Sequence, residues 1–596
     1  MTYYNKQTKF WLAKQFYEDI DEYMDYDDDT DYYQYGDILD SASYIQNISS
    51  TNYNKMSRKP SKIKWTTFVH NGVMFPKPYS SHGLPVIYNS EEVYFENKLA
   101  EEYATLYAKY YETEYVTNKT FNKNFWKDWK KILGKNHKIQ DLEGCNFSKI
   151  YNYLVENKMK KKEMTKEEKE KEKAEKEIRT EKYRFAWVDG IKQPVSNFRV
   201  EPPGLFIGRG CHPKLGSIKR RIYPRDITLN LSKDAPIPVL QPFYEGMVWG
   251  DIIHDKTLEW LASWKDEITN KMKYVWLGAH SHLRTQSDLA KFELARQLKK
   301  KIRKIRRKND DNLESGDMKK RQIATAVYFI DNFALRVGNE KGSDAADTVG
   351  VTSLRVEHIE LLNDLKVKLD FLGKDSIRYV NKVKVSKQVY DNLGKFKQGK
   401  DKKEDLFDLI TSNDVNKYLR KFMRGLTAKV FRTLNASYHF QKELKNITNK
   451  YKDYEQDDKV NILLNEFNKA NTKIAALCNH QKKVSKTHNK QVDVIDKRIK
   501  DYKKKLRKLK ASTSKSGTKG VRIEKMREKI KKLRAKKSLK IEQKNLSLGT
   551  SKINYIDPRI TVAFMKKHNV DVDKVFSKTL QSKFIWAFDI DENFRF

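Results

Sequence analysis

Apolar residues recur at every third or fourth position in two stretches near the C-terminal end of the chain, which is the spacing of one helix face. Lysine and arginine fill many of the positions between them. The intervening "ASTSKSGTKG" is rich in Ser and Gly and does not favour a continuous helix. The pattern predicts an antiparallel two-helix coiled coil over residues 485–546, and we expect it to protrude because only its narrow seam can pack. The apolar positions are Val492, Ile495, Ile499, Tyr502, Leu506 and Leu509, then Ile523, Met526, Ile530 and Leu533.

Upstream of this segment the pattern changes between helical and alternating spacing. "RQIATAVYFIDNFALRVGNEK" has apolar residues at helical spacing. "RVEHIELLNDLKVKLDFLGKDSIRYVNKVKV" alternates, and its turn at residues 372–375 predicts a hairpin. From "KIKWTTFVHNGVMFPKPY" onward, strands are predicted, followed by helices over "EEYATLYAKYYETEY" and "FNKNFWKDWKKIL". The almost purely charged "MKKKEMTKEEKEKEKAEKEIRTEKYRF" predicts one solvated connector helix.

These changes divide the chain of 596 residues into five predicted segments. The first is acidic and rich in tyrosine, as in "DEYMDYDDDTDYYQYGD", and we expect a flexible arm. It is interpreted either as a solvated tail or as an arm that competes with DNA for a basic surface. The segments are 1–60, 61–281, 282–484, 485–546 and 547–596.

The charge balance restricts the class of partner. Lys and Arg number 120 against 79 Asp and Glu, which gives a net charge of +41. Such an excess favours a polyanion, above all nucleic acid, over solubility alone. The three cysteines are far apart, so neither a disulfide framework nor a zinc finger is expected. We also expect no membrane span, no secretory leader and no P-loop ATPase.

One loop combines backbone-breaking residues with a high density of positive charge. In "VEPPGLFIGRGCHPKLGSIKRRIYPRDI", glycines flank Arg209 and would let the backbone approach a phosphate. An ordinary basic surface loop explains this composition equally well.

A tyrosine that attacks a phosphodiester needs particular neighbours. Its hydroxyl has a pKa near 10, so the site must favour its ionised form. Arginines suit the charge that builds on the phosphate oxygens, and Lys or His can protonate a leaving alkoxide. Each candidate has an ordinary structural alternative when it is taken alone. The candidates are Arg336 in "LRVGNEK", Lys374 in "FLGKDSIRY", Arg432 in "GLTAKVFRT", His480 in "CNHQ" and Tyr555 in "SKINYIDPR".

The same chain also contains "EPPGLF", "ADTVG", "SLRVEHI", "LGTSKINYIDPRITVA" and "KFIWAFDI". Taken together, these motifs resemble those of eukaryotic-type DNA topoisomerase I, the type IB family. The resemblance extends from about residue 62 to the end of the chain. The resemblance implies an α+β fold, a bilobed DNA clamp. Residues 61–281 would form a mixed α/β cap lobe that binds DNA, and residues 282–484 a mainly α-helical catalytic lobe. Residues 485–546 would be the family's linker, and residues 547–596 would carry the nucleophile. The first sixty residues, a short acidic arm rich in tyrosine, depart from the family's usual long N-terminal region, which is rich in Lys and Glu and targets the nucleus.

The resemblance also implies a mechanism. Tyr555 would attack a backbone phosphate of duplex DNA and form a 3′-phosphotyrosine. Arg336, Arg432 and His480 would hold the non-bridging oxygens, and Lys374 would protonate the leaving 5′ oxygen. Strand rotation and religation would relax supercoils. No cofactor is expected: no ATP and no obligatory metal, with a divalent cation at most as a stimulant.

Further residues match positions that contact DNA in that family. Two more, Asp375 and Asn554, match positions near the cleavage site where the family's camptothecin-type inhibitors bind. The predicted DNA-contacting residues are Arg209, Lys273, Tyr274, Lys291, Val337, Gly338, Asn339, Glu340, Lys341, Thr427, Ala428 and Lys429.

Two other functions stay open at this point. A tyrosine site-specific recombinase shares the chemistry, but it usually has His three residues before the second arginine, where this chain has Lys429. A non-catalytic DNA-binding or packaging protein would explain the charge but not the five candidates. The expected partner is supercoiled double-stranded DNA, bound by a monomer away from membranes. The expected compartment is the nucleus, or a host nucleus, cytoplasmic factory or virion if a large DNA virus encodes the chain.

Overall fold

The computed structural model describes most of the chain in two compact units, which separate after Asp288. Ala346 and Asp347 belong to the first unit, and the other described residues beyond Asp288 belong to the second. The described residues are 63–208, 210–339, 346–455, 458–482, 484, 487–511 and 519–596. The predicted arm at 1–60 lies outside them. The five-segment division given above stays a prediction.

The first unit is mixed α and β. The strands and helices of this unit are β1 Phe68–His70, β2 Val86–Tyr88, β3 Glu91–Val93, α1 Lys98–Ala108, α2 Lys119–Leu133, β4 Cys145–Asn146, α3 Ser148–Glu163, α4 Lys166–Glu181, β5 Phe185–Val188, β6 Ile191–Pro194, β7 Gly204–Leu205, β8 Ile218–Lys219, β9 Thr228–Asn230, β10 Asp251–Ile253, β11 Trp260–Lys265 and β12 Met272–Trp276. One four-stranded sheet has the order β10–β9–β11–β12, and only its β9–β10 pair is parallel.

Two hydrophobic cores stabilise this unit. One collects buried side chains of the sheets, among them Phe68, Leu229 and Leu261. The other is aromatic and lies around α1 and α2, where Phe125 and Trp129 are fully buried. Burial of such large rings supplies much of the hydrophobic free energy of a domain this size.

The charged connector is not one helix, so that prediction was wrong. Helix α3 ends at Glu163 and α4 begins at Lys166. Thr165 caps α4, and a reciprocal pair of hydrogen bonds with Glu168 forms a capping box. The box gives side-chain partners to two backbone N–H groups that would bond to carbonyls of the preceding turn in a continuous helix. A new helix therefore starts at that point. Most of α4 is solvated, as expected.

Helix α5, His282–Leu313, begins in the first unit and continues into the second, which is mainly helical. Its remaining elements are α6 Met318–Phe333, β13 Ile359–Leu362, β14 Lys366–Leu372, β15 Arg378–Lys384, α7 Lys387–Lys397, α8 Ser412–Arg420, α9 Ala428–Lys450, α10 Lys459–Leu477, α11 His488–Ala511, α12 Lys519–Glu542, α13 Leu548–Asn554, α14 Pro558–Lys567 and α15 Lys578–Lys583. Rings of α9, α10 and α14 pack on one another through Phe440, Phe467 and Phe564. The described chain is therefore α+β, as the sequence predicts.

The hairpin and the helix pair predicted from the hydrophobic pattern are both present. Strands β14 and β15 pair antiparallel, and their turn contains Lys374. Helices α11 and α12 pack through Ile495, Ile499 and Ile530. The ion pair of Lys537 with Asp496 at 2.6 Å is consistent with an antiparallel arrangement. Supercoiling of the pair and its role as a linker stay predictions. Within the described residues, the helices are too short or too polar to span a bilayer.

Candidate active site

Tyr555 lies where α13 ends and is held through its backbone. The residue is largely buried, with 9% of its surface exposed. The hydroxyl of Ser437, on α9, donates to the Tyr555 carbonyl at 3.0 Å. The same hydroxyl accepts from the backbone N–H of Asp557 at 3.0 Å. One buried serine therefore fixes the turn that carries the tyrosine between α13 and α14.

The Tyr555 ring contacts two of the other predicted catalytic residues. It stacks on the imidazole of His480, with ring centroids 5.0 Å apart and an interplanar angle of 26°. The guanidinium carbon of Arg432 lies 4.9 Å from the ring centroid. Contact with a cation and a flat aromatic partner restricts where the phenol oxygen can point. Among the described residues, nothing hydrogen-bonds to that oxygen.

Arg432 is buried, yet it is held by dipoles rather than by a carboxylate. Its Nη1 donates to the carbonyl of Ala334 at 2.6 Å, and its Nη2 donates to that of Cys478 at 2.8 Å. The same Nη2 lies 3.3 Å from Nε2 of His480. Its Nε–H is buried with no hydrogen-bond partner in the described part of the chain. A guanidinium has five N–H donors, so this one keeps capacity for an additional acceptor such as an anion.

The backbone turns on either side of these contacts place the carbonyls. Ala334 ends α6 in the left-handed region, with φ 50°. Asn479, between Cys478 and His480, has φ 51°. Such conformations are uncommon for residues other than glycine and cluster at functional sites.

His480 is fixed at its backbone and at both ring nitrogens. Its carbonyl accepts from the N–H of Ser547 at 2.7 Å, in a short ladder that also joins Gln481 to Leu546. The ladder joins the segment before α11 to the segment after α12, next to the imidazole. Nδ1 lies 2.7 Å from the hydroxyl of Ser551 on α13.

Arg336 lies in a loop held by two touching glycines. Its carbonyl accepts from the N–H of Val351 at 2.9 Å. Gly338 has φ 89° and approaches Gly350 so closely that a Cβ on Gly350 would lie 2.4 Å from the Cα of Gly338. No larger residue fits this approach, which explains the glycines of "LRVGNEK" and "ADTVG".

Lys374 lies in the turn of the β14–β15 hairpin. The turn closes through the N–H of Gly373 and the carbonyl of Ile377 at 2.9 Å. Ser376 in the same turn has φ 55°. The charge of Lys374 acts on His480, which places the hairpin turn within electrostatic reach of the stacked residues.

Burial and positive charge set the protonation of the site. Burial, with the nearby charges of Arg432, Arg336 and Lys374, lowers the pKa of His480 to about 2, so its imidazole is neutral near pH 7. Burial raises the pKa of Tyr555, but the opposing charges of Arg432, Arg336 and Lys429 outweigh it. The net pKa of this tyrosine is lowered, which favours its nucleophilic form. The site therefore combines a tyrosine of lowered pKa with donors for an anion.

Comparisons with known proteins identify the family. Three family models match: "eukaryotic DNA topoisomerase I, DNA binding fragment" at residues 63–277, the "catalytic core" of the same enzyme at 280–513, and the "C-terminal topoisomerase domain" at 527–596. DNA topoisomerase 1 of Homo sapiens is 41% identical over 570 residues, which cover 90% of this chain and 73% of the human protein. The chain belongs to the eukaryotic DNA topoisomerase I family.

Two further relatives show how much of a family member this chain spans. DNA topoisomerase 1 of Caenorhabditis elegans is 44% identical over 559 residues, covering 90% of this chain and 68% of the relative. DNA topoisomerase 1 alpha of Arabidopsis thaliana is 45% identical over 554 residues, covering 89% of this chain and 59% of the relative. The chain thus spans about three fifths of the Arabidopsis topoisomerase.

The structure brings together all five residues predicted to be catalytic. Arg432, His480 and Tyr555 are in direct contact, and Arg336 and Lys374 act on the group through their charges. All five belong to the second unit. Their roles in catalysis stay predictions. Among the described residues, no group of three or more His, Cys, Asp or Glu side chains suits a metal ion.

The predicted DNA contacts are distributed over both units. Lys273 and Tyr274 lie on β12 in the first unit, and Lys273 forms an ion pair with Glu201 at 3.7 Å. In the second unit, Lys291 lies on α5 over the ring of Phe292. Val337, Gly338 and Asn339 continue the Arg336 loop. Thr427 is the N-cap residue of α9, and Ala428 and Lys429 are its first two residues. Asn554 is the last residue of α13. Arg209, Glu340, Lys341 and the side chain of Asp375 lie outside the described residues.

Two serines of the site were not predicted. Ser551 lies inside the quoted "SKINY" motif, four residues before Tyr555, so it could have been considered as a helical neighbour of the nucleophile. Ser437 lies more than a hundred residues from Tyr555 in the middle of α9, where no local pattern marks it.

Proposed function

We propose that this chain is a type IB DNA topoisomerase that relaxes supercoiled double-stranded DNA without ATP. The observation that carries the proposal is the buried contact of Tyr555 with His480 and Arg432. The Nε–H donor of Arg432 has no hydrogen-bond partner among the described residues. A scissile phosphate would supply the acceptor for this donor.

The proposed cleavage step is a transfer of the phosphodiester. The Tyr555 oxygen, its proton released to water, forms a bond to phosphorus as the bond from phosphorus to the 5′ oxygen breaks. Lys374 gives a proton to that leaving oxygen. Arg336, Arg432 and His480 donate to the non-bridging oxygens, where charge develops in the transition state. The product is a 3′-phosphotyrosine and a free 5′ hydroxyl.

The reverse reaction restores the DNA. The 5′ hydroxyl attacks phosphorus of the phosphotyrosine and gives its proton back to Lys374, while the bond from phosphorus to the Tyr555 oxygen breaks. The tyrosine leaves as the phenolate and regains a proton from water, so the phosphodiester re-forms with no net consumption of an energy source. Between the two steps the free end rotates about the intact strand and torsional stress is released. We propose that no cofactor is required, that the enzyme acts as a monomer and that it closes around the duplex as a clamp. Family membership favours the nucleus as its compartment.

The test is relaxation of supercoiled plasmid in buffer with EDTA and without ATP, followed by denaturation to trap any covalent complex. We expect relaxed topoisomers, and a covalent adduct at the 3′ end of the nicked strand. Tyr555→Phe should give neither while still binding DNA, because only the nucleophilic oxygen is removed. Normal relaxation by this variant would exclude Tyr555 as the nucleophile.

The other candidate functions differ in the same assays. A site-specific recombinase would exchange strands between two duplexes that carry its site, so recombinant products from a two-duplex reaction would favour it. A packaging protein would bind DNA and change no linking number after deproteinisation.

A further inference from the structure

The two nitrogens of His480 have different partners, and these partners define where its proton lies. Nη2 of Arg432 can only donate, so Nε2 of His480, at 3.3 Å, acts as the acceptor. The imidazole is neutral because burial and the charge of Arg432 lower its pKa to about 2. A neutral imidazole carries one proton, which must then lie on Nδ1. Nδ1–H donates to the hydroxyl of Ser551 at 2.7 Å.

The proposed reaction requires the opposite tautomer. To hold a non-bridging oxygen of the phosphate, His480 must present an N–H donor, and Nδ1 is already occupied by Ser551. The donor is therefore Nε2–H, and Nδ1 must become an acceptor. The change is compatible with the site if two conditions hold. Nη2 of Arg432, which keeps its bond to the Cys478 carbonyl, must give up its contact with Nε2. The partner of Nδ1 must be able to switch from accepting to donating.

A serine hydroxyl can do both, since it has one rotatable O–H and two lone pairs. Ser551 is fully buried, so water does not compete for its hydroxyl. Its carbonyl accepts from the backbone N–H groups of Tyr555 at 3.1 Å and Ile556 at 2.9 Å. The helical turn that leads to the nucleophile thus also fixes the position of the hydroxyl.

We propose that Ser551 is a positioning residue that controls the tautomer of His480. It accepts from Nδ1–H while the site holds no phosphate, and it donates to Nδ1 when Nε2–H faces a phosphate oxygen. The inference rests on the proposed function, because it concerns the donor that His480 supplies to the phosphate.

The first test is spectroscopic and reads the tautomer itself. In protein labelled with ¹⁵N in histidine, the chemical shifts of Nδ1 and Nε2 distinguish a protonated nitrogen from an acceptor. We expect protonated Nδ1 in the free protein, and protonated Nε2 when the Tyr555→Phe variant is bound to duplex DNA. His480→Gln identifies the signals. An unchanged tautomer on DNA binding would overturn the proposal.

The second test measures single-turnover cleavage of a duplex with a mapped cleavage site. Loss of one transition-state donor lowers the reaction rate about 100- to 1000-fold. A donor that is present but mispositioned should lower the cleavage rate less, by about 10- to 100-fold. We expect this loss for Ser551→Ala, with DNA affinity little changed, and partial recovery for Ser551→Thr. Thr550→Ala removes the adjacent hydroxyl, which bonds to Ser547 and not to His480. It is the matched control and should cleave normally.

A double-mutant cycle separates positioning from general damage to the fold. If Ser551 acts through the imidazole, Ser551→Ala should add little to the loss already caused by His480→Gln. Fully additive losses would show that Ser551 acts by another route and would contradict the proposal. If the wild-type chain cleaves DNA and Ser551→Ala cleaves it equally fast, the inference about Ser551 is wrong while the proposed function stands. The proposed function fails if the wild-type chain itself forms no covalent complex.

Discussion

One added methyl group on Gly350 tests how the structure positions Arg336. A Cβ at this residue would lie 2.4 Å from both the Cα and the N of Gly338, and 2.9 Å from the carbonyl oxygen of Arg336. Ordinary contact begins near 3.4 Å, so the new carbon lies about 1 Å too close to backbone atoms. Because no side-chain rotation relieves such a contact, the loop that carries Arg336 must move by a similar distance.

The displacement predicts a large kinetic effect and a moderate loss of stability. Forcing an extra carbon into packed structure costs about 1–3 kcal/mol of the free energy of unfolding. Moving a catalytic group by about 1 Å can cost about 100-fold in rate. We therefore expect Gly350→Ala to slow single-turnover cleavage by about 100-fold, with a much smaller loss of DNA affinity, since Arg336 is one cation among many.

The chain offers a matched control for this substitution. Gly549 lies in α13 close to Tyr555, and a Cβ there would meet only the Cδ1 of Ile553, at 3.8 Å. Alanine is compatible with this site, so Gly549→Ala should leave cleavage unchanged and add about 0.4–1 kcal/mol of stability. Both variants are assayed at a temperature where circular dichroism shows them folded. Equal cleavage rates for Gly350→Ala and Gly549→Ala would refute the claim that the glycine contact positions Arg336.

Three further predictions address the charges of the site and the helix pair. Lys429→Ala removes one of the charges that lower the pKa of Tyr555, so that pKa should rise and the pH–rate profile of cleavage should move to higher pH. The shift should be small because Lys429 is exposed and solvent screens it; an unmoved profile would argue against this electrostatic role. Arg432→Ala should slow cleavage by about 100- to 1000-fold, whereas His480→Gln should be milder because an amide still donates; equal losses on the same duplex would contradict the assignment. Replacing residues 485–546 by a short Gly/Ser connector should preserve cleavage but flatten the salt dependence of DNA binding, because fewer counterions are released; an unchanged slope would mean that the basic helix pair lies outside the field of the DNA.

The elements predicted correctly are those that local pattern determines. The β14–β15 hairpin follows from alternation on both sides of a turn with glycine. The pairing of α11 with α12 follows from apolar residues at steps of three and four. The break at Thr165 was missed because the charge pattern continues across it, although Thr165 and Glu168 have the spacing of a capping box.

The site residues were predicted from the resemblance of their motifs to those of a known family, since each residue taken alone had an ordinary structural alternative. The geometry of the site required the fold. No local signal places the ring of Tyr555 on that of His480, since the contact depends on the ladder between Ser547 and His480. The role of Ser437 is likewise tertiary, because α9 brings its hydroxyl to a turn more than a hundred residues away. Such contacts between distant segments arise from packing, which spacing along the chain does not reveal.

Two buried arginines lie near the nucleophile, and they differ in whether carboxylates neutralise their charge. Arg559 is neutralised: its Nη2 pairs with Asp557 and its Nη1 with Glu293, each at 2.7 Å. Arg432 has no carboxylate partner in the described part of the chain and is held by the carbonyls of Ala334 and Cys478.

The difference matters because Asp557 lies only two residues after Tyr555. An unpaired carboxylate at that position would repel a phosphate and would raise the pKa of the phenol. Its bidentate pairing with Arg559 removes this effect and leaves the charge of Arg432 uncompensated. An uncompensated buried cation is unfavourable by several kcal/mol unless dipoles or an anion stabilise it. The carbonyl dipoles are fixed in advance, so an arriving phosphate gains the interaction with little reorganisation of the protein, which is the condition for effective electrostatic stabilisation of a transition state.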